Sequence, residues 1–270
     1  MTTVVITGAA GNIGSKLCRH FETLGWTLRL LDTRASDQAV QTADLAIWND
    51  IWVQHFADAD AVIHLAADPS PQASWEQTVR LNFDLSLNVF EAAARQRAKR
   101  LIFASSNWVV AGHRFEDTPL TPDTPPYPVN PYGVSKLVGE RLGRSYSERW
   151  DMSVICFRIG YCQRGENRPG PHMGWGLWGQ HMWLSDRDLC QGFEKAVTAP
   201  PDLRFAVLNL MSQNDGMRWD LEPTRRAIGY VPLDHATPQP GAEEAAQTAA
   251  SRHARRLVEA AEAFIQDRHW

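Results

Sequence analysis

The stretch Thr3-Val4-Val5-Ile6-Thr7-Gly8-Ala9-Ala10-Gly11-Asn12-Ile13-Gly14 decides how this chain of 270 residues folds. A short β-branched run leads into three regularly spaced glycines, and an amphipathic helical pattern, Ile13 to Leu24, follows. Glycines permit a tight turn and close backbone approach, and the open N–H groups at the helix start attract a pyrophosphate. Between a strand and a helix the pattern predicts a dinucleotide-binding βαβ unit, with Gly8, Gly11, Asn12, Ile13 and Gly14 around the phosphates. Asp32 closes the next predicted strand, roughly 20 residues further on, where a ribose-binding carboxylate belongs. Such a carboxylate accepts from ribose hydroxyls and repels a 2′-phosphate, so NAD is expected over NADP. Arg34, two residues on, would favour the reverse.

Outward from this unit, short apolar runs alternate with helical patterns, the signature of a parallel sheet. Strands are predicted at Thr3–Thr7, Leu28–Asp32, Ala61–Ala66, Arg100–Ser105 and Ser153–Ile159. Helices are predicted at Ile13–Leu24, Glu76–Arg95 and Pro131–Trp150, the last with Asn130 as N-cap and Pro131 in its first turn. The fold class is therefore α/β, a Rossmann-type doubly wound parallel sheet with a small C-terminal substrate-binding part. Residues 1–160 form the NAD-binding core and its catalytic helix. Residues 161–232 hold a Gly- and Trp-rich loop, a helix opening at Ser185 (with Asp188 at capping-box spacing) and a strand at Arg204–Met211. Residues 233–270 form a proline-rich linker and a last helix with Leu257, Val258, Ala261, Phe264 and Ile265 on one face.

Tyr132-Gly133-Val134-Ser135-Lys136 sets a tyrosine and a lysine one turn apart on one helical face. Ser105-Ser106 ends a strand at the carboxyl edge of the sheet, where open α/β folds bind ligands. Oxidation of an alcohol needs a base with a pKa near the working pH. A tyrosine near 10 serves if a cation, here Lys136 and the nicotinamide, stabilises its phenolate.

These residues carry a resemblance. The chain looks like an extended short-chain dehydrogenase of the NAD-dependent epimerase/dehydratase group over about residues 3–232. The matching positions are Thr7–Gly14, Asp32, Asp44-Leu45, His64-Leu65-Ala66-Ala67, Asn82, Phe103-Ala104-Ser105-Ser106 and Tyr132–Lys136. The resemblance implies that Ser106, Tyr132 and Lys136 are catalytic. It also implies that Asp44 and Leu45 flank the adenine and that Leu65, Ala66, Ala67, Asn82 and Ile159 line the dinucleotide with Tyr132 and Lys136. Within the group the chain is similar to uronate dehydrogenases, through Phe103–Asn107, Arg158-Ile159-Gly160 and Trp183-Leu184-Ser185-Asp186. It departs from them where it faces substrate. Trp108 stands where they commonly have histidine, and Trp178 where their carboxylate-clamping arginine falls.

The resemblance thus implies a sugar dehydrogenase that oxidises the C1 hydroxyl of a hexuronate or similar anionic pyranose, with carboxylate, sulfonate or phosphate at C6, to an aldonolactone. Substrate-side candidates are Ser70, Ser106, Asn107, Trp108, Tyr132, Arg168, His172 and Trp178. The missing cation would come from Arg164 or Arg168 on the long loop, Arg168 being favoured beside Pro169. Trp175, Trp178 and Trp183 offer an apolar wall for a sugar face. A nucleotide-sugar epimerase or dehydratase with tightly bound NAD, and a non-catalytic NAD(P) sensor, are the alternatives. The net charge of −4 gives no footprint for nucleic acid, no apolar stretch reaches the roughly 20 residues of a membrane span, and no His/Asp/Glu set has metal spacing. Four scattered cysteines, and an N-terminus running straight into the glycine loop, point to the cytoplasm. A homodimer is implied by the resemblance alone.

Overall fold

The computed structural model describes residues 2–35 and 39–266. Seven parallel strands form one sheet in the order β3-β2-β1-β4-β5-β6-β7. They are β1 (Thr3–Thr7), β2 (Thr27–Asp32), β3 (Val40–Thr42), β4 (Ala61–His64), β5 (Arg100–Ser106), β6 (Ser153–Ile159) and β7 (Phe205–Leu210). The helices are α1 (Asn12–Thr23), α2 (Asp50–Val53), α3 (Trp75–Thr78), α4 (Leu85–Arg95), α5 (Pro131–Arg149), α6 (Gly176–His181), α7 (Asp186–Val197), α8 (Glu222–Ile228) and α9 (Ala242–Gln266). The central strands are apolar on both faces because both are covered. One core packs Leu17 and Phe21 of α1 and Leu189 and Phe193 of α7 against Ile6, Ile102 and Ile155. The other packs Leu85, Val89 and Phe90 of α4 against Val5, Val62 and Leu101.

The expected helix over 76–95 is interrupted. Val79–Asp84 forms a π turn between α3 and α4, and Asn82 lies in it. β7 extends the same sheet beside β6, and α7 packs on α1, so residues 161–232 are continuous with the core. The proline-rich stretch is bonded to the body. The Asp188 carboxylate accepts from Leu233 N at 2.7 Å and Asp234 N at 3.2 Å, and Gln180 exchanges bonds with the Gln239 backbone. This strap delivers α9 to the body. Leu257 and Val258 of its expected apolar face are exposed, and the side chains of Ala261, Phe264 and Ile265 lie outside the described ones.

α5 begins as expected, with Asn130 Oδ1 accepting from Gly133 N at 2.7 Å. It lies unusually close to the sheet, because a Cβ on Gly139 would sit 2.2 Å from the Phe103 ring. At that contact Glu140, 4% exposed, accepts from Arg158 Nε and Nη2 at 2.9 and 3.0 Å and from the Ser105 hydroxyl at 2.6 Å. Removing the carboxylate leaves a buried guanidinium uncompensated. Glu140→Ala should therefore lower stability by about 3–5 kcal/mol in urea unfolding. A loss below about 1 kcal/mol, the scale of a surface pair, would contradict this role.

Candidate active site

The nucleotide side is built where β1 turns into α1. Gly8 has φ +71°, and a Cβ there would stand 2.8 Å from Ala66 N, so the turn admits only glycine. A Cβ on Gly14 would stand 2.3 Å from Gly8 O, packing helix on loop. α1 is capped by Gly11 without a side-chain bond and carries no acid in its first turn, which leaves its N–H groups open to an anion. Asn12 donates to Cys162 O at 3.0 Å, and Ile13 packs on the core. Asp32, 7% exposed, accepts from Ala10 N and Arg34 N, both at 3.0 Å. The Arg34 guanidinium is exposed and lies 3.5 Å from Asp32. This glycine cradle with a carboxylate at the end of β2 fits a dinucleotide.

The loops after β3 and β4 complete the rim. Asp44 is paired with Arg80 at 2.7 Å, whereas the Leu45 side chain is 2% exposed and belongs to the core. Leu65, Ala66 and Ala67 are half-buried, and Thr7 holds the first two through Leu65 N and Ala66 N. Asn82 bonds both N–H and C=O of Asp68 and donates to the Ser135 hydroxyl at 3.0 Å, so it fixes this loop to α5. Ser70 follows, its hydroxyl accepting from Gln72 N.

The chemical side sits at the carboxyl ends of β5 and β6. Ser106 ends β5, and its hydroxyl accepts from Trp108 N at 3.2 Å. Tyr132 reaches it from the first turn of α5. Burial pushes the tyrosine up to about 12; the Ser106 hydroxyl bond lowers it and Asp68 raises it. Lys136, 4% exposed, is pushed down to about 8 by burial. Its ammonium lies over the rings of Phe103 at 5.0 Å and Tyr132 at 5.5 Å. In this arrangement burial outweighs any lowering of the tyrosine by the neighbouring cation. Asn107 donates to Ile159 O at 2.6 Å, while its buried Oδ1 has no protein partner.

Beyond Trp108 a cavity of about 270 Å³ opens, walled by Trp108, Trp175 and Trp178 and lined with Arg114, Arg218 and Arg252. Trp175 adopts φ +68°, a strained conformation for an aromatic residue, and sets its indole edge-on to Trp108 at 4.9 Å. Three expectations fail here. Arg168 is exposed and paired with Glu166 at 2.6 Å, Arg164 and His172 are exposed on the same loop, and none of them lines the cavity. Trp183 is buried against Met173 and Ala236 instead, donating to Asn167. Asn167 folds the loop inward, since its amide donates to Leu184 O and Asp186. Lys16, which the sequence reading passed over, clamps the same loop through Asp186 at 2.6 Å and Gln163 O at 2.9 Å. A larger open cleft of about 1100 Å³ borders Lys99, Arg100 and Ser153 at the amino edge of the sheet. It contains none of the expected site residues, and ligands of such sheets bind at the other edge. Among the described residues no group of three or more His, Cys, Asp or Glu could hold a metal.

His64 ties the two sides together, bonding Thr7 Oγ1 at 2.8 Å and Ser86 Oγ at 3.1 Å. Burial first, and Lys136 second, push it from 6.5 to about 3. Between those values the unfolded chain binds a proton that the fold refuses. Stability should therefore fall as pH drops below about 6.5, by up to ~1.4 kcal/mol per pH unit from this group. A His64 imidazole resonance that titrates near pH 6.5 in the native protein would contradict this.

Residues 4–163 match the model of the NAD dependent epimerase/dehydratase family. Curated relatives include an L-arabinose 1-dehydrogenase (NAD(P)(+)) of Haloferax volcanii, 33% identical over 87% of this chain and 98% of its own. The NAD-dependent glucose-6-phosphate dehydrogenase of the same organism is 33% identical over 86% and 94%. A uronate dehydrogenase of Agrobacterium fabrum is 31% identical over 87% and 86%. Among solved structures, uronate dehydrogenase from Agrobacterium tumefaciens superposes with a TM-score of 0.72 at 29% identity, covering 87% of this chain and 85% of that one.

Proposed function

This chain belongs to the NAD dependent epimerase/dehydratase family, and we propose that it oxidises the C1 hydroxyl of an anionic pyranose to an aldonolactone. The observation that carries this reading is the meeting of Tyr132 with Ser106 and Lys136, while Trp108, bonded to Ser106, walls the cavity beyond. At about 270 Å³ the cavity is of monosaccharide scale, just below the usual range for drug-sized ligands. That weighs against an epimerase or dehydratase of nucleotide sugars. A complete set of Ser106, Tyr132 and Lys136 weighs against a mere sensor.

Tyr132 is the base that takes the proton of the C1 hydroxyl, and Ser106 holds that oxygen in line. Asn107, with its spare buried acceptor, takes a bond from a sugar hydroxyl. Lys136 remains largely cationic at neutral pH and supplies the positive charge that a tyrosinate needs. The indoles of Trp108, Trp175 and Trp178 offer their faces to the C–H surface of the ring and exclude water. The chemistry that NAD supplies when bound is acceptance of the hydride from C1. Gly8, Gly11 and Gly14 would hold its pyrophosphate, Asp32 its adenosine ribose and Lys136 its nicotinamide ribose. The free thiols, three of them buried, suit the cytoplasm, and a homodimer is expected from the resemblance.

Tyr132→Phe keeps the ring but removes the proton acceptor. NAD binding should persist while turnover on any active sugar drops by about 10²–10⁴-fold. Near-normal turnover would mean that another group is the base. Asp32→Ala should weaken NAD and admit NADP, since an acceptor and a repulsive charge vanish together. A wild-type protein that prefers NADP would overturn that assignment and point to Arg34.

A further inference from the structure

Three guanidiniums from distant parts of the chain line one cavity. Arg114 follows the 3₁₀ helix Asn107–His113, Arg218 precedes α8, and Arg252 belongs to α9. Arg218 lies over the Trp178 indole at 5.5 Å, held by Thr118 O and His113 O at 2.9 Å each. It thus sets a cation against the tryptophan wall of the cavity. Neither Arg114 nor Arg218 has a carboxylate at ion-pair distance among the described residues. Arg252 approaches Asp117 only to 3.6 Å, and its buried Nε makes no hydrogen bond. The positive field is felt locally: burial, then Arg252 and Arg218, push His181 down to about 4.

α9 is part of this cavity rather than an appendage. Arg256 bonds Asp117, and Thr248 and Arg252 face the cavity. The strap before it is fixed by Asp188 and Gln180. Asp117 and Glu116 offset part of the arginines' charge, and a cluster of cations in a half-buried cavity gains further from an anion that joins them. Guanidinium forks grip carboxylate and phosphate alike, and three of them on three separate segments can address all three free oxygens of a tetrahedral group.

We propose that Arg114, Arg218 and Arg252 seat a tetrahedral oxyanion, a sulfonate or phosphate, carried by the sugar away from C1, and that α9 is the roof completing the seat. This rests on the sugar-dehydrogenase reading above. The test compares NADH formation from glucose 6-phosphate, 6-deoxy-6-sulfoglucose, glucuronate and glucose. The sulfonate or the phosphate sugar should lead glucuronate and glucose by about tenfold or more in kcat/KM, and the better of the two identifies the group. Arg218→Gln and Arg252→Gln should each raise KM for that sugar at least about tenfold, with KM for NAD hardly moved. Truncation after Gly241 should do the same, and NAD binding by each variant verifies folding. Glucuronate or glucose as best substrate, or arginine variants with unchanged sugar KM, would overturn the seat while leaving C1 oxidation standing. Failure of all four sugars to yield NADH would overturn both.

Discussion

The seating of α5 on the sheet governs everything else in the site. Tyr132, Lys136 and Glu140 recur at intervals of one turn, so they share one face of that helix. Glu140 is the anchor of the face: its carboxylate is saturated by Arg158 of β6 and Ser105 of β5. A charge buried this deeply tolerates no other arrangement, because any shift leaves carboxylate or guanidinium unpaired. With Glu140 fixed, Lys136 falls over Phe103 and Tyr132 falls beside Ser106. The close approach permitted at Gly139 makes this geometry possible.

The same logic joins elements that are remote in sequence. Thr7, His64 and Ser86 form one buried hydrogen-bonded line from β1 through β4 to α4. Asn82, in the π turn, makes a second link, from the Asp68 backbone to Ser135 of α5. π turns recur at functional sites, and here the widened helix sets a buried amide against the loop beside the nucleotide cradle. On the far side Lys16, Asp186 and Asn167 shape the loop after β6. Nucleotide turn, chemical centre and substrate loop are thus each held by their own polar network inside an apolar sandwich.

Most of the sheet was legible in the sequence because fully covered parallel strands read as short apolar runs. β1, β5 and β6 agree with expectation within a residue. β3 escaped notice because an edge strand of three residues, largely exposed, has no apolar pattern to show. The glycine loop and the Tyr–Lys pair were legible because their chemistry depends on local spacing. The cations of the cavity were not. Arg218 joins the Arg114 segment through His113 and Thr118, and Arg252 arrives only with the strap and α9, so no local spacing links the three. Lys16 was hidden for the same reason: its partner Asp186 lies on a distant helix.

The central claim is that C1 of an aldopyranose is the oxidised carbon and that Tyr132 is the base that starts the step. The most direct measurement uses an anionic aldopyranose deuterated at C1, with the nicotinamide product and the sugar product both analysed by NMR. The account predicts that deuterium leaves the sugar for the reduced cofactor, that the sugar emerges as an aldonolactone or its acid, and that the Tyr132→Phe protein shows neither. Deuterium retained in an isomerised sugar, with no accumulating NADH, would contradict it.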